Sequence, residues 1–106
     1  MAVVKWRKQT WQLFNKYVDH SRMEFGEKTA RKWLTEASII YDRLQKYPIS
    51  YTQENLLAGK KHKYRSCHIM RRFKIVYYYA ESSDTVYIRD IWDTRVNPET
   101  LKQRLK

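Results

Sequence analysis

The apolar residues of this chain change their spacing at Pro48, and that change limits the possible folds more than any single motif does. Before it they recur three or four apart, the period of a helix. After it they come in β-branched and aromatic runs, the pattern of strands. Proline cannot continue a helix, so Pro48 is also a physical boundary. Upstream, Ala30, Trp33, Leu34, Ala37, Ile40, Tyr41 and Leu44 form one apolar face, with Glu27, Lys28, Arg31, Lys32, Glu36 and Arg43 mostly off it. This helix is expected to start after Gly26 and to end near Tyr47; Ser21, with Glu24 three residues on as a capping box, is an alternative start. Trp11, Phe14, Tyr17 and Val18 mark an earlier helix from Gln9 to about His20, and Asp19 to Gly26 (DHSRMEFG) is expected to interrupt it. Val3 to Lys8 alternates weakly, as a short first strand would. Two helices with facing stripes and a short link read as a helical hairpin.

Downstream, Tyr51 to Gly59 reads as a loop with a turn of helix around Asn55 to Ala58. Three strands follow: Tyr64 to Met70, Phe73 to Tyr79 and Thr85 to Trp92. The link ESSD suits an antiparallel hairpin between the last two. Asn97 as N-cap, Pro98 at the first helical position and Glu99 in the first turn open a final helix, which Leu101 and Leu105 would dock. The order β-α-α-β-β-β-α defines an α+β fold: an antiparallel-rich four-stranded sheet with the N-terminal helical hairpin on one face. The other face is expected to be free for binding. Alternation sends Phe73, Ile75, Tyr77 and Tyr79 one way and Lys74, Val76 and Tyr78 the other. On the next strand it groups Arg89 with Tyr87 and Ile91, opposite Val86, Ile88, Asp90 and Trp92.

The 106 residues suit one domain spanning 1–106, and 15% aromatic content argues against disorder despite a mean hydropathy of -0.83. A net charge of +11, from 22 Lys and Arg against 11 Asp and Glu, points to a polyanionic partner such as nucleic acid, the ribosome or an acidic protein. The single cysteine, Cys67, excludes an internal disulfide and suits a reducing compartment. MAVVKWRKQTW is charged by its fifth residue, and no apolar run reaches membrane-spanning length, so a cytoplasmic protein with no membrane partner is expected.

Positive charge concentrates in residues 60–74, KKHKYRSCHIMRRFK, which hold Lys60, Lys61, Lys63, Arg65, Arg71, Arg72, Lys74, His62 and His68 and no acid. Cations interleaved with His and Tyr suit single-stranded RNA, phosphates on the cations and bases on the rings; a solvated face that keeps the sheet from aggregating would read the same way. Lys60, Lys61, His62, Lys63, Arg71, Arg72 and Arg89 are the candidate nucleic-acid contacts. Cleaving RNA at its 2′-hydroxyl would need a base, an acid and cations facing the phosphorane. His68 and His62 are the available acid–base groups, and Arg65, Lys74, Arg89 and Arg95 the available cations. No HExxH, P-loop, GxSxG or paired cysteine occurs, so no cofactor or metal is expected.

The run YRSCHIMRRFKIVYYY, then VYIRDIWDTRVNP and a short helix, after a hairpin ending in LQKYP, resembles the RelE/ParE toxins of bacterial type II toxin–antitoxin systems. The likeness covers nearly the whole chain as an ordered set of loose motifs. It implies a small cytoplasmic α+β toxin neutralised by an acidic, partly disordered antitoxin; a homodimer stays open. RelE-like members cleave mRNA on the ribosome, whereas ParE-like members poison DNA gyrase. In the RelE pattern Arg65 matches a basic position on the strand before the hairpin, Lys74 stands in place of an arginine on the next strand, and Arg95 matches an arginine after the last strand. The tyrosine of the final helix is absent, with Leu101 near its place. The resemblance implies catalytic roles for Arg65, Lys74 and Arg95, with His68 or His62 for acid–base work. It favours growth inhibition by a ribosome-dependent endoribonuclease (an mRNA interferase); gyrase inhibition is the alternative, and a non-toxic nucleic-acid-binding module the third reading.

Overall fold

A computed structural model describes residues 1–105. Its elements are β1 (Val3–Trp6), α1 (Lys8–Phe25), α2 (Glu27–Lys46), β2 (Arg65–Ile69), β3 (Phe73–Ala80), β4 (Thr85–Asp93) and α3 (Pro98–Arg104), with 3₁₀ turns at Asn55–Leu57 and Glu81–Ser83. The four strands form one sheet in the order β1-β4-β3-β2. β2, β3 and β4 pair antiparallel, and β1 lies parallel to β4. The α+β architecture and the helical hairpin are as expected, and the pairing is mixed.

Phe14, Val18, Ala30, Trp33, Ile40 and Leu44 from the hairpin bury against Cys67, Ile69, Ile75, Tyr77, Val86, Ile88 and Ile91 from the sheet. The expected break at DHSRMEFG is absent, because α1 continues to Phe25 and Gly26 alone turns the chain. Some of the polar residues there find partners close by in the chain. Arg22 bridges Asp19 and Glu27, both at 2.8 Å, and the Ser21 hydroxyl donates to the Val18 carbonyl at 2.7 Å. Gly26 has φ +95, a conformation that L side chains rarely adopt, so a sharp reversal fits there.

β4 departs from simple alternation. Val76 pairs with Asp90 and the next β3 residue, Tyr77, pairs with Ile88, so Arg89 is an extra residue in a β-bulge. The bulge reverses the phase: Ile91 joins Val86 and Ile88 under the hairpin, while Trp92 joins the opposite face and Asp90 meets α3 there. The strict grouping expected from the sequence therefore fails beyond Ile88. The Thr10 hydroxyl of α1 donates to the bulged Arg89 carbonyl at 2.7 Å, satisfying a group that the ladder leaves free. Thr10→Val is expected to cost about 1 kcal/mol in chemical denaturation, the loss of one partly buried hydrogen bond.

The second face is not free. Leu57, Tyr64, Val76, Trp92, Leu101 and Leu105 form a smaller core beneath α3 and the 51–64 loop. As the sequence suggested, α3 is opened by Asn97, whose side-chain oxygen accepts from the Glu99 amide at 3.0 Å. Burial pushes the Cys67 thiol up to about 12, which leaves it a packed apolar group rather than a nucleophile. Among the described residues, no helix is long and apolar enough to cross a membrane, and no group of three or more His, Cys, Asp or Glu could hold a metal ion.

Candidate functional site

Lys74 lies on the second face, in one cross-strand row with His68 of β2 and Trp92 of β4. Its ammonium is 2.8 Å from Glu54 Oε1. The Glu54 side chain is only 5% exposed, and it also accepts from the Ser66 hydroxyl at 3.0 Å and the Leu56 amide at 3.2 Å. Burial by itself would raise the Glu54 pKa. The bonds from Lys74, the Leu56 amide and Ser66 outweigh it and hold the carboxyl below its ordinary value. A lysine bound this way balances an internal charge and has little positive field left for a substrate phosphate. His68 is exposed, and its Nδ1 lies 3.2 Å from the Arg71 carbonyl. A carbonyl only accepts, so this contact puts the proton on Nδ1 and turns Nε2 outward.

Arg65 pairs with Tyr77, in the row that faces the hairpin. Its guanidinium donates to the Tyr51 carbonyl at 2.7 Å, beside the Arg43 guanidinium, which sits 4.4 Å above the Tyr51 ring. Arg65 and Lys74 therefore leave the sheet on opposite faces. Arg95 follows the end of β4 and closes on Asp93 through Nε at 3.0 Å and Nη2 at 2.8 Å. The Asp93 carboxyl is held below its ordinary range, chiefly by the side-chain hydrogen bonds from Arg95. Because Arg95 is largely exposed, Arg95→Ala is expected to leave the thermal unfolding midpoint close to that of the parent, so any loss of growth arrest in that variant reports on function.

The four candidate catalytic residues thus do not converge. Lys74 and His68 share a row, Arg65 lies on the opposite face, and Arg95 sits beyond the final row. Other groups are brought together. Arg72 and Arg95 meet at a groove of about 370 Å³ lined by Tyr17, Trp33 and Phe73, with His20 nearby. The turn carrying Arg72 holds Met70 at φ 51 and Arg71 at φ 63, unusual for residues other than glycine. Glu36 of α2 braces it, accepting from the Met70 amide at 2.9 Å.

Of the candidate nucleic-acid residues, Lys61, His62 and Lys63 come together at the far end of the second face, whereas Arg72 lies at the Arg95 groove and Arg89 lines a cavity at the β4 bulge. The His62 ring stacks on Tyr78 with centroids 3.8 Å apart and planes 1° apart, and Tyr78 stacks on Tyr87 at 5.2 Å. Lys61 and Lys63 line a groove of about 420 Å³ beside this stack, and Arg65 lines it from the β2 edge of the sheet. Lys60 turns away, donating to the Lys102 carbonyl at 3.1 Å and so tying the loop to α3. Burial, then the charges of Lys61 and Arg89, lower the His62 pKa. Arg7, Glu54 and Arg104 have no role assigned from the sequence. The one available signal was Glu54, an acid just before a run of cations; the partners of the others depend on the bulge.

No family model matches the chain, and no curated protein matches its sequence. Among solved structures, it is similar to a chain of the chromosomal ParDE TA system from P. aeruginosa. The TM-score is 0.67 at 16% identity, over 88% of this chain and 96% of that one. At that identity the likeness is one of fold: the chain is built as a component of a ParDE toxin–antitoxin system is built.

Proposed function

We propose that the chain is a single-domain toxin of a type II toxin–antitoxin pair that arrests growth by binding its target rather than by cutting RNA. DNA gyrase is the target of the ParE-like toxins it resembles. One observation carries the choice: the cations matched to a nuclease pattern each have an internal partner. Lys74 is bound to Glu54, Arg95 to Asp93 and Arg65 to the Tyr51 carbonyl. The fold shared with a chain of a ParDE system supports the toxin–antitoxin part of this reading. An acidic antitoxin suits the +11 charge, and the exposed Met23, Phe25, Leu34 and Ile39 of the hairpin offer apolar anchors to it. Such a pair acts in the bacterial cytoplasm.

Ribosome-dependent mRNA cleavage is the second reading. The basic groove beside the His62–Tyr78 stack favours it, since a base could stack there with its phosphates on Lys61, Lys63 and Arg65. Both readings make the chain toxic. Induced expression is expected to stop bacterial growth, and co-expression of a small acidic protein encoded beside it to restore growth. Unimpaired growth on induction would sink both.

A further inference from the structure

A cavity of about 270 Å³ opens where the start of α1, the bulge of β4 and the last turn of α3 meet. Arg7, Arg89 and Arg104 line it, with Asp90 as the one acid, so three cations face a single anion. Arg104 Nη2 lies 2.9 Å from Asp90 Oδ2, an ion pair without the alignment of a directed hydrogen bond, since that oxygen otherwise lacks a donor. Arg7 and Arg89 have no acid within ion-pair distance among the described residues. Arg89 Nε is shielded from solvent and has no hydrogen-bond partner, which is costly for a guanidinium donor. The bulge fixes this arginine, because Thr10, which also lines the cavity, holds its carbonyl.

We propose that this cavity binds a phosphate group, with Arg7 and Arg89 as its principal ligands and Arg104 kept in place by Asp90. Planar guanidinium forks match the oxygens of a tetrahedral oxyanion, and burial at Arg89 strengthens each contact. α1 adds to the field here, since it begins with no acid in its first turn and no side-chain cap. The site is separate from the growth-arrest reading and stands or falls without it. The phosphate has two possible sources, free phosphate or a nucleotide. Tyr87 of the His62–Tyr78–Tyr87 stack lies two residues from Arg89 on β4, which offers the base of a nucleotide a stacking surface.

The test is a titration of the ¹⁵N-labelled full chain with sodium phosphate at neutral pH, against sodium chloride at matched ionic strength. Saturable shifts are expected at the Gln9 and Thr10 amides and at Arg89 Nε–H. Arg7→Gln and Arg89→Gln are each expected to weaken binding by roughly tenfold or more, with thermal unfolding in chloride confirming that both fold. A nucleoside monophosphate is the second ligand: tighter binding with added shifts at His62 and Tyr78 assigns the phosphate to a nucleotide, and equal binding without them assigns it to free phosphate. Absence of a saturable shift, or shifts that survive both substitutions unchanged, overturns the site.

Discussion

Lys74→Met is expected to lower the unfolding free energy by about 3 kcal/mol at neutral pH, the lower end of the range for breaking a buried ion pair, because Lys74 is partly exposed. The loss comes from Glu54, which would keep a buried charge with only the Ser66 hydroxyl and the Leu56 amide facing it. The pH dependence separates this from simple loss of packing. In the parent chain the Glu54 pKa lies below its ordinary 4.5. Its stabilising contribution is therefore complete above 4.5 and fades as the pH falls through the lower folded value. In the variant, burial without the cation raises the Glu54 pKa, so the carboxyl protonates earlier on acidification. The stability gap between the two proteins should be widest at neutral pH and should narrow toward acid. Glu54→Gln in the Lys74→Met background should recover much of the loss, and a double-mutant cycle measures the coupling. A pH-independent loss, or no recovery in the double variant, would show that Lys74 is not a structural cation.

Trp33→Ala is expected to cost about 4 kcal/mol and to lower the thermal midpoint by roughly 20 °C. Trp33 is 3% exposed, at the centre of an aromatic cluster that joins both helices to the sheet. Its ring stacks with Tyr17 at 5.9 Å and meets Phe73 at 4.9 Å and Phe14 at 6.1 Å edge-on. No neighbouring side chain is long enough to fill the void left by an indole, so the cavity term adds to the lost burial. Urea unfolding should give a lower midpoint at an unchanged slope. A loss under about 1 kcal/mol would mean that the hairpin does not dock through this cluster.

The same tryptophan shows which parts of the fold could be read from the chain. The α2 stripe from Ala30 to Leu44, the dense strands and the Asn97–Pro98 helix start are local signals, and each element formed where its spacing placed it. The misreadings have distant or compensated causes. DHSRMEFG looked like a loop because its residues are polar, yet Arg22, Asp19 and Glu27 neutralise one another along the helix surface. The phase of β4 could not be read because the bulge at Arg89 is satisfied by Thr10, 79 residues earlier in the chain. The candidate site fared similarly. Residue type identifies Arg65, Lys74, Arg95 and His68, but the two faces of the sheet separate them; Asp93, two residues from Arg95, is a partner visible in the sequence, whereas Glu54 and Tyr51 come from the 51–64 loop. The aromatic part was more visible. Its His and Tyr residues interleave with the cations in the sequence, although the stacking of His62 on Tyr78 needs the 51–64 loop to fold back over the sheet.

Under the proposed function the chain acts by binding, with Arg65, Lys74 and Arg95 engaged by partners of its own. The most direct measurement adds the purified protein to translating ribosomes and, in parallel, to gyrase. Message integrity is read by primer extension and DNA topology by supercoiling. Intact mRNA and blocked supercoiling are expected. Cleavage of ribosome-bound mRNA, abolished by Arg65→Ala or Lys74→Met in a folded variant and accompanied by normal supercoiling, would contradict that function.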